Sequence, residues 1–283
     1  MENNSIKDNL SREDIISDII LSMGADIEGE NVYLIVEGDG DVNLLRSFLS
    51  GNVNLYESYG GKNGVEFLVV DRFGNDNRVI GIRDKDYQLK PTSDKMFYYD
   101  YGCMEMMLIS NKEVFGCLCD EYYKGNKLSE QLRQHILSQL KLLSIIRLHN
   151  ERDHWEIRLN AIPIDKAWNG DKDIIDNNVI INKINSMNKG FLDESKIQQL
   201  NEECIDEWDE EMYYNNTQGH DFFMLFASIC NYTNKGKKGI SHDILDANAR
   251  CTFRLTDLIE TKLYRSVIDY GKKYDLKIMK TID

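Results

Sequence analysis

The stretch N-V-Y-L-I-V-E-G-D-G-D, residues 31–41, decides the fold that we predict for this chain. It begins with an unbroken apolar run, Val32 to Val36, most of it β-branched or aromatic. A run so short and so uniformly apolar is typical of a strand buried on both faces, as in a parallel sheet covered by helices. After Glu37 the chain turns, and apolar residues then recur at helical spacing. We therefore predict a strand, a turn and a helix, with Asp39 or Asp41 as the helix N-cap.

A second apolar run repeats this design. Residues 78–83, R-V-I-G-I-R, stop at Asp84-Lys-Asp86. Because side chains alternate along an extended chain, Asp84 and Asp86 are expected to point the same way. If the two strands are parallel neighbours, these carboxylates and that of Glu37 meet at the edge where open α/β sheets place their ligands. Three hard oxygen donors suit Mg²⁺ and repel one another without a cation. The alternative is that each acid caps a helix or is solvated in a turn.

The residues between and after these two runs extend the α/β pattern. Residues 52–58 and 96–99 are predicted as strands and 65–73 as a helix. The order β-α-β-α-β predicts right-handed crossovers and a mostly parallel sheet. In the turn G-G-K-N-G, residues 60–64, exposed backbone N–H groups would suit an anion, and Lys62 would hold a substrate phosphate or offset the carboxylates. The alternative is a plain turn that needs glycine backbone angles.

The second half of the chain is predicted to be mainly helical. We predict residues 1–110 to form the α/β core with an N-terminal helix over 12–23, and residues 111–283 to form a helical region that packs on the core and completes the site. Residues 160–193 are broken up by Pro and Gly, which indicates a small insertion of strand or helix. The acidic run over 202–211 is read as a solvated face or, alternatively, as a surface for a protein partner.

Composition limits the function classes. Lys and Arg number 34 against 48 Asp and Glu, so the net charge is -14. This is unfavourable for gripping nucleic acid, since phosphate affinity depends on basic residues. Either metal ions and a local basic patch, Lys235, Lys237 and Lys238, contact the substrate backbone, or the acidic surface docks onto a basic protein. No apolar run approaches the ~20 residues that cross a bilayer, and no signal-peptide pattern is present, so we expect a cytoplasmic protein.

Histidines and cysteines give weaker signals. The six cysteines lack the spacing of paired zinc ligands, so reduced thiols are expected. His135, His149 and His154 show no metal-like pairing and are predicted to be surface or capping residues. Before a strongly apolar helix, His220 is a candidate for proton transfer or phosphate contact, with Asp221 orienting it or capping the helix. The alternative for His220 and Asp221 is a purely structural role, as a helix cap and a buried polar pair.

Four short motifs, in order, resemble a known family. They are E-G-x-x-D at 37–41, D-x-D at 84–86, D-x-x-x-x-E-M-x-L at 100–108 and G-H-D at 219–221. Together they resemble the Toprim domain of topoisomerases, primases and OLD-type nucleases, and more narrowly the Toprim-like nuclease subunit of PARIS anti-phage systems. The resemblance implies a Toprim-like Rossmannoid sheet and one or two Mg²⁺ or Mn²⁺ ions. It also implies that Glu105 joins Glu37, Asp84 and Asp86 as a metal ligand.

The function that we expect combines these points. Glu37, Asp84, Asp86, Lys62 and His220 would carry metal-dependent hydrolysis of a phosphodiester. The resemblance implies a toxic effector of abortive infection that cleaves tRNA, is held by an ABC-type ATPase and is a homodimer when active. Three alternatives stay open: a DNA nuclease, a catalytically silent module that binds a partner or nucleotide, and a primase-like nucleotidyl transferase.

Overall fold

The structure, a computed structural model, describes residues 11–88, 90–234 and 239–282. Its strands are, in chain order, β1 (Val32–Val36), β2 (Val53–Glu57), β3 (Val79–Arg83), β4 (Met96–Tyr98), β5 (Trp168–Asn169) and β6 (Ile174–Ile175). Its helices are α1 (Arg12–Ala25), α2 (Asp39–Leu45), α3 (Gly61–Glu66), the π-helix Phe67–Arg72, α4 (Met104–Ser110), α5 (Lys112–Tyr122), α6 (Ser129–Gln139), α7 (Lys141–Arg152), α8 (Ile164–Ala167), α9 (Asn177–Met187), α10 (Glu194–Glu203), α11 (Glu210–Asn216), α12 (Gly219–Thr233), α13 (His242–Thr252), α14 (Leu255–Leu258) and α15 (Lys262–Tyr274). None of the helices in these ranges has the length and apolarity to cross a membrane.

The chain divides into two compact units. The first consists of Met1–Asp100 and Arg254–Asp283, and the second of Tyr101–Phe253. The sequence predicts a different division, with a boundary near residue 110 and all of residues 111–283 in one helical region. The division differs because the C-terminal segment belongs to the first unit.

The core of the first unit is a four-stranded sheet in the order β2-β1-β3-β4. Every pair of neighbours is parallel, and in the register Leu34 lies between Leu55 of β2 and Ile80 of β3. All five residues of β1 are fully buried. The α/β fold class is thus confirmed, and so is the prediction that β1 and β3 are parallel neighbours.

Helices cover the central strand on both faces. On one face Tyr33 and Ile35 pack in a cluster with Ile19 of α1, Val65 of α3 and Leu68 of the π-helix. The alternating residues of β1 point to the opposite face and are equally buried. The unbroken apolar run that predicted β1 therefore reflects burial on two faces.

The C-terminal segment joins the first unit through backbone contacts. Ser50 N donates to Ile278 O at 2.9 Å, and an antiparallel bridge pairs Leu49 with Met279. The carboxylate of Asp100, just after β4, accepts hydrogen bonds from the first two amides of α15, both at 2.9 Å. It thus satisfies N–H groups that have no partner inside that helix. Neither contact follows from local periodicity, which explains why the predicted domain boundary missed them.

The second unit is built mainly from helices. The apolar helix α12, predicted from residues 219 onward, buries Phe222 and Phe226 against Phe115 of α5, with ring centroids 5.7 and 5.1 Å apart. The region 160–193 contains α8, α9 and the short antiparallel pair of β5 and β6, as the predicted insertion of strand or helix requires. The six cysteines are all free.

Candidate functional site

Glu37 lies directly after β1, at the carboxyl end of the sheet. Its Oε1 accepts a hydrogen bond from the backbone N of Asp84, which follows the neighbouring strand β3, at 2.9 Å. The pKa of Glu37 is raised from 4.5 to about 7, and burial is the largest cause. The negative charges of Asp86 and Asp41 raise this pKa further, whereas the hydrogen bond from Asp84 and the charge of Arg83 lower it. A carboxyl group that is partly protonated near neutral pH at a strand end is a feature of functional sites.

The turn after Glu37 is held by Asp41. Gly38 is the N-cap of α2, and its backbone N donates to Asp41 Oδ2 at 3.0 Å. The buried Asp41 also accepts a 2.5 Å hydrogen bond on Oδ1 from the hydroxyl of Tyr99. The prediction that Asp39 or Asp41 is the N-cap is therefore wrong, because both lie within the first turn of α2. The predicted orienting role of Asp41 stays a prediction, although Asp41 does fix the backbone next to Glu37.

Asp84 and Asp86 are placed differently from the prediction. β3 ends at Arg83, and Asp86 and Tyr87 have φ values of 44° and 66°, so this segment turns and is not extended. The alternation that was to align Asp84 with Asp86 does not apply. Asp86 instead forms an ion pair with Lys62, whose Nζ lies 3.2 Å from Asp86 Oδ2. Of the two roles predicted for Lys62, the structure has the one that offsets a carboxylate.

The three predicted metal ligands do not form a closed group. Within the described part of the first unit, no three Asp, Glu, His or Cys side chains each bring a ligand atom within 4.8 Å of the others. Glu37 is turned towards the backbone of Asp84, and Asp86 is turned towards Lys62. The carboxylates thus share one edge of the sheet, but their predicted convergence on a single point is not observed.

In the second unit, Glu105 lies in the first turn of α4 and packs against α12. A Cβ atom added to Gly219 would lie 2.4 Å from Glu105 Cβ and 2.7 Å from its Oε2. Only glycine therefore fits at the first position of α12, where the helix dipole favours a carboxylate. Among possible metal ligands, Cys103 Sγ lies within 4.8 Å of a Glu105 oxygen. The role of Glu105 as a metal ligand stays a prediction.

The remaining predicted site residues are not gathered into a catalytic group by the described contacts. Asp221 is buried and accepts hydrogen bonds from Arg147 Nε at 2.7 Å and Nη2 at 3.0 Å. It pairs with Arg147 and not with His220, because successive residues of a helix point about 100° apart. His220 is exposed, and its ring packs against that of His242, with centroids 4.6 Å apart. The predicted basic patch, Lys235, Lys237 and Lys238, lies outside the described residues.

The cluster of His149, Asp153 and Glu203 was not predicted from the sequence. His149, predicted to be a surface or capping residue, is only 2 % exposed. Its Nδ1 lies 2.5 Å from Asp153 Oδ2 and its Nε2 lies 2.8 Å from Glu203 Oε2. Its ring stacks on Trp155 with centroids 4.9 Å apart. Only the spacing of His149 and Asp153, four residues apart on α7, was visible in the sequence, whereas Glu203 comes from the distant helix α10.

The carboxylates around His149 are stabilised in their charged form. Hydrogen bonds from Arg152 and then His149 lower the pKa of Asp153. Burial acts to raise the pKa of Glu203, but its hydrogen bond with His149 leaves that pKa lowered. These acids have partners that satisfy their charge, so we interpret the cluster as structural.

Arg83 was also missed, although it ends the apolar run that predicted β3. It is 1 % exposed, its Nη2 donates to Gln88 Oε1 at 2.5 Å, and its buried Nε has no hydrogen-bond partner. Its positive charge counteracts the rise in the pKa of Glu37. Arginine at a strand end is usually exposed, so nothing in the sequence indicated its burial.

Comparison with protein-family models gives no match to this chain, and comparison with curated proteins gives none either. The resemblance to Toprim proteins therefore depends on the four short motifs alone.

Proposed function

We propose that this chain is a divalent-metal-dependent endonuclease of the Toprim type, which hydrolyses phosphodiester bonds. The observation that carries the proposal is the state of Glu37. This carboxyl group is desolvated, has a pKa of about 7 and lies at the carboxyl end of a fully buried parallel strand, hydrogen-bonded to the first residue after the neighbouring strand. Such a position is where open α/β sheets bind their ligands.

The chemistry of the donors at this edge fits Mg²⁺ or Mn²⁺. The available ligand atoms are carboxylate oxygens, which hard divalent cations prefer. Asp41 and Asp86 add negative charge around Glu37 and disfavour its ionisation. A divalent cation would relieve that repulsion and return Glu37 to its charged form. One or two ions held by Glu37, Asp84 and Asp86 are consistent with these charges.

Each residue then has a defined task. When bound, the metal polarises the scissile phosphate and favours ionisation of the attacking water. Glu37 and Asp84 would hold the ion at the strand ends, and Asp41 fixes the turn that carries Glu37. Lys62, which pairs with Asp86, would contact the substrate phosphate.

The motif resemblance supports a more specific biological role. By that resemblance, the nuclease is a toxic effector of a PARIS-like anti-phage system, acts on tRNA, is held by an ABC-type ATPase and works as a homodimer. The net charge of -14 favours such a protein partner over strong non-specific binding to nucleic acid.

A second candidate function follows from the open arrangement of the carboxylates. Because Glu37 accepts a hydrogen bond from the Asp84 amide and Asp86 pairs with Lys62, a catalytically silent Toprim-like module fits as well. Such a module would bind a protein or nucleotide without cleaving nucleic acid.

Metal binding and cleavage by Glu37→Gln discriminate between the two. Glutamine keeps the size of the side chain and its acceptor for the Asp84 amide but cannot ionise. We expect wild type to bind Mn²⁺, seen by electron paramagnetic resonance, and to break RNA, with both signals reduced at least ~100-fold in the variant. Glu30→Gln, an exposed acid before β1 at the opposite end of the sheet, is the matched control. Mn²⁺ binding without cleavage would favour the silent module, and equal cleavage by Glu37→Gln would refute a nuclease site built on Glu37.

A further inference from the structure

Tyr99 is a buried residue whose hydroxyl ends at the candidate site. It follows β4 directly, is 1 % exposed and donates a 2.5 Å hydrogen bond to Asp41 Oδ1. Its backbone N donates to Arg83 O at 3.4 Å, which continues the pairing of β3 with β4 beyond the last residue of β4. The position of the tyrosine ring is therefore fixed both by burial and by the sheet.

The topology gives this hydrogen bond a particular place. Asp41 belongs to α2, which follows β1, whereas Tyr99 follows β4. β3 lies between β1 and β4 in the sheet, and its chain continues into Asp84. The Tyr99–Asp41 hydrogen bond therefore connects the turns on either side of the end of β3. We call this connection the Tyr99–Asp41 strap.

The strap continues to the backbone that carries Glu37. The second carboxylate oxygen of Asp41 accepts the backbone N–H of Gly38 at 3.0 Å, and Glu37 in turn accepts the N–H of Asp84 at 2.9 Å. A run of three hydrogen bonds thus joins the Tyr99 hydroxyl, through Asp41 and the Glu37–Gly38 turn, to the start of the segment after β3. Tyr99 and Asp41 are buried, so water cannot easily replace the hydrogen bond between them.

We propose that Tyr99 is a positioning residue for metal binding at this edge: its hydroxyl holds Asp41, which holds the turn of Glu37. This rests on the proposed metal-dependent function. In this role Tyr99 would act through Asp41 and not as a ligand of the ion. Groups that orient metal ligands from outside typically change metal affinity 10- to 100-fold when they are removed.

Tyr99→Phe tests the strap, since it removes the hydroxyl and keeps the buried ring. We expect the dissociation constant for Mn²⁺, measured by electron paramagnetic resonance on the full chain, to rise about tenfold. The Mn²⁺ concentration that gives half-maximal cleavage should rise by the same factor, while turnover at saturating Mn²⁺ stays within about twofold of wild type, because added metal restores the arrangement. A loss of general stability would not give this separation.

The chain offers a matched control in Tyr33→Phe. Tyr33 lies on β1, is fully buried, and its hydroxyl has no hydrogen-bond partner. This variant removes a buried hydroxyl from the same sheet without touching the strap, so its Mn²⁺ affinity should equal that of wild type. Urea unfolding of both variants shows whether each is folded under the conditions of the metal titration.

Asp41→Asn provides a second and independent reading. If the strap acts through Asp41, adding Tyr99→Phe to Asp41→Asn should weaken Mn²⁺ binding by clearly less than it does in wild type. Equal Mn²⁺ affinity in wild type and Tyr99→Phe, or fully additive effects, would overturn the strap while leaving the proposed function intact if Glu37→Gln still abolishes binding. Absence of Mn²⁺ binding in wild type would overturn the proposed function and the strap together.

Discussion

Glu37 in the first unit and the His149 cluster in the second show two opposite ways of placing acidic side chains. Around Glu37, burial and two further carboxylates raise the pKa to about 7. Around His149, by contrast, Asp153 and Glu203 each face a ring nitrogen, and their pKa values are lowered. The first arrangement disfavours negative charge on the acid, and the second stabilises it.

The difference separates a candidate site from a structural one. Acids that already have a partner contribute to stability and have little left to offer a ligand. An acid held where its charge is unfavourable lowers the stability of the fold when it ionises, but it can bind a cation strongly. Substitutions at His149, Glu37 and Lys62 test this difference.

Removal of the imidazole should give the largest change. His149→Ala leaves Asp153 and Glu203 without their shared partner and opens a space beside Trp155. We expect the free energy of unfolding to fall by roughly 3 kcal/mol, measured by urea denaturation at neutral pH. Mn²⁺ affinity should not change. The exposed His154, replaced by Asn to suit its φ of 52°, is the control. A variant as stable as wild type would show that the cluster is not structural.

Glu37→Gln should change stability in the opposite direction, and only at high pH. The folded-state pKa of about 7 lies above the reference value of 4.5. The stability contributed by protonated Glu37 is therefore complete below pH ~4.5 and is lost as the pH rises through about 7. Glutamine stays neutral and does not lose it. In EDTA, we expect equal stability near pH 4 and a variant more stable by about 2 kcal/mol near pH 8, after allowance for partial exposure of Glu37.

The opposite result would refute this account of Glu37. If Glu37→Gln is less stable than wild type near pH 8, the carboxylate has a favourable partner in its charged form. Glu37 would then resemble the acids around His149, and the comparison would fail.

Lys62→Met should have the smallest effect, with a sign that distinguishes two roles. The ammonium group lies 3.2 Å from Asp86 and competes with a cation for that carboxylate. Its removal should strengthen Mn²⁺ binding about two- to fivefold, as expected for a partly exposed ion pair, while cleavage at saturating Mn²⁺ falls. Lys90→Met changes the net charge equally at an exposed position and should change neither. Weaker Mn²⁺ binding in Lys62→Met would mean that Lys62 supports the metal site.

The parts of the fold that were predictable depend on local patterns. The apolar runs gave β1 and β3 almost to the residue, and the neighbouring parallel arrangement followed from their sequence order. The position of Glu37 at the carboxyl end of the sheet was predictable for the same reason. The raised pKa of Glu37 was only partly predictable, because burial is its largest cause and the degree of burial depends on residues that are distant in the sequence.

The errors depend on backbone angles and distant contacts. The positive φ of Asp86 directs its carboxylate towards Lys62. Glycine is the usual sequence signal for a positive φ, and no glycine lies next to Asp86. Asp221 is hydrogen-bonded to Arg147, 74 residues earlier in the chain, and His149 is hydrogen-bonded to Glu203, 54 residues later. The Tyr99–Asp41 strap spans 58 residues. Periodicity carries no information on pairs of this separation. Short motifs therefore identify which residues are charged or polar, but not which side chains they contact in the fold.

The first unit is built from two chain segments that are far apart in the sequence, and this has a consequence for synthesis on the ribosome. The strands β1 to β4 are translated early, but the segment from residue 254 onward, including α15 with its N-terminus on Asp100, is translated only after the whole second unit. We therefore expect the second unit to become protease-resistant first in nascent chains stalled at increasing lengths, and the sheet only when the segment from residue 254 onward has left the exit tunnel. Protection of the sheet in chains stalled before residue 254 would contradict this order. Any activity that requires the finished sheet would, by this timing, appear only after the segment from residue 254 onward has been synthesised.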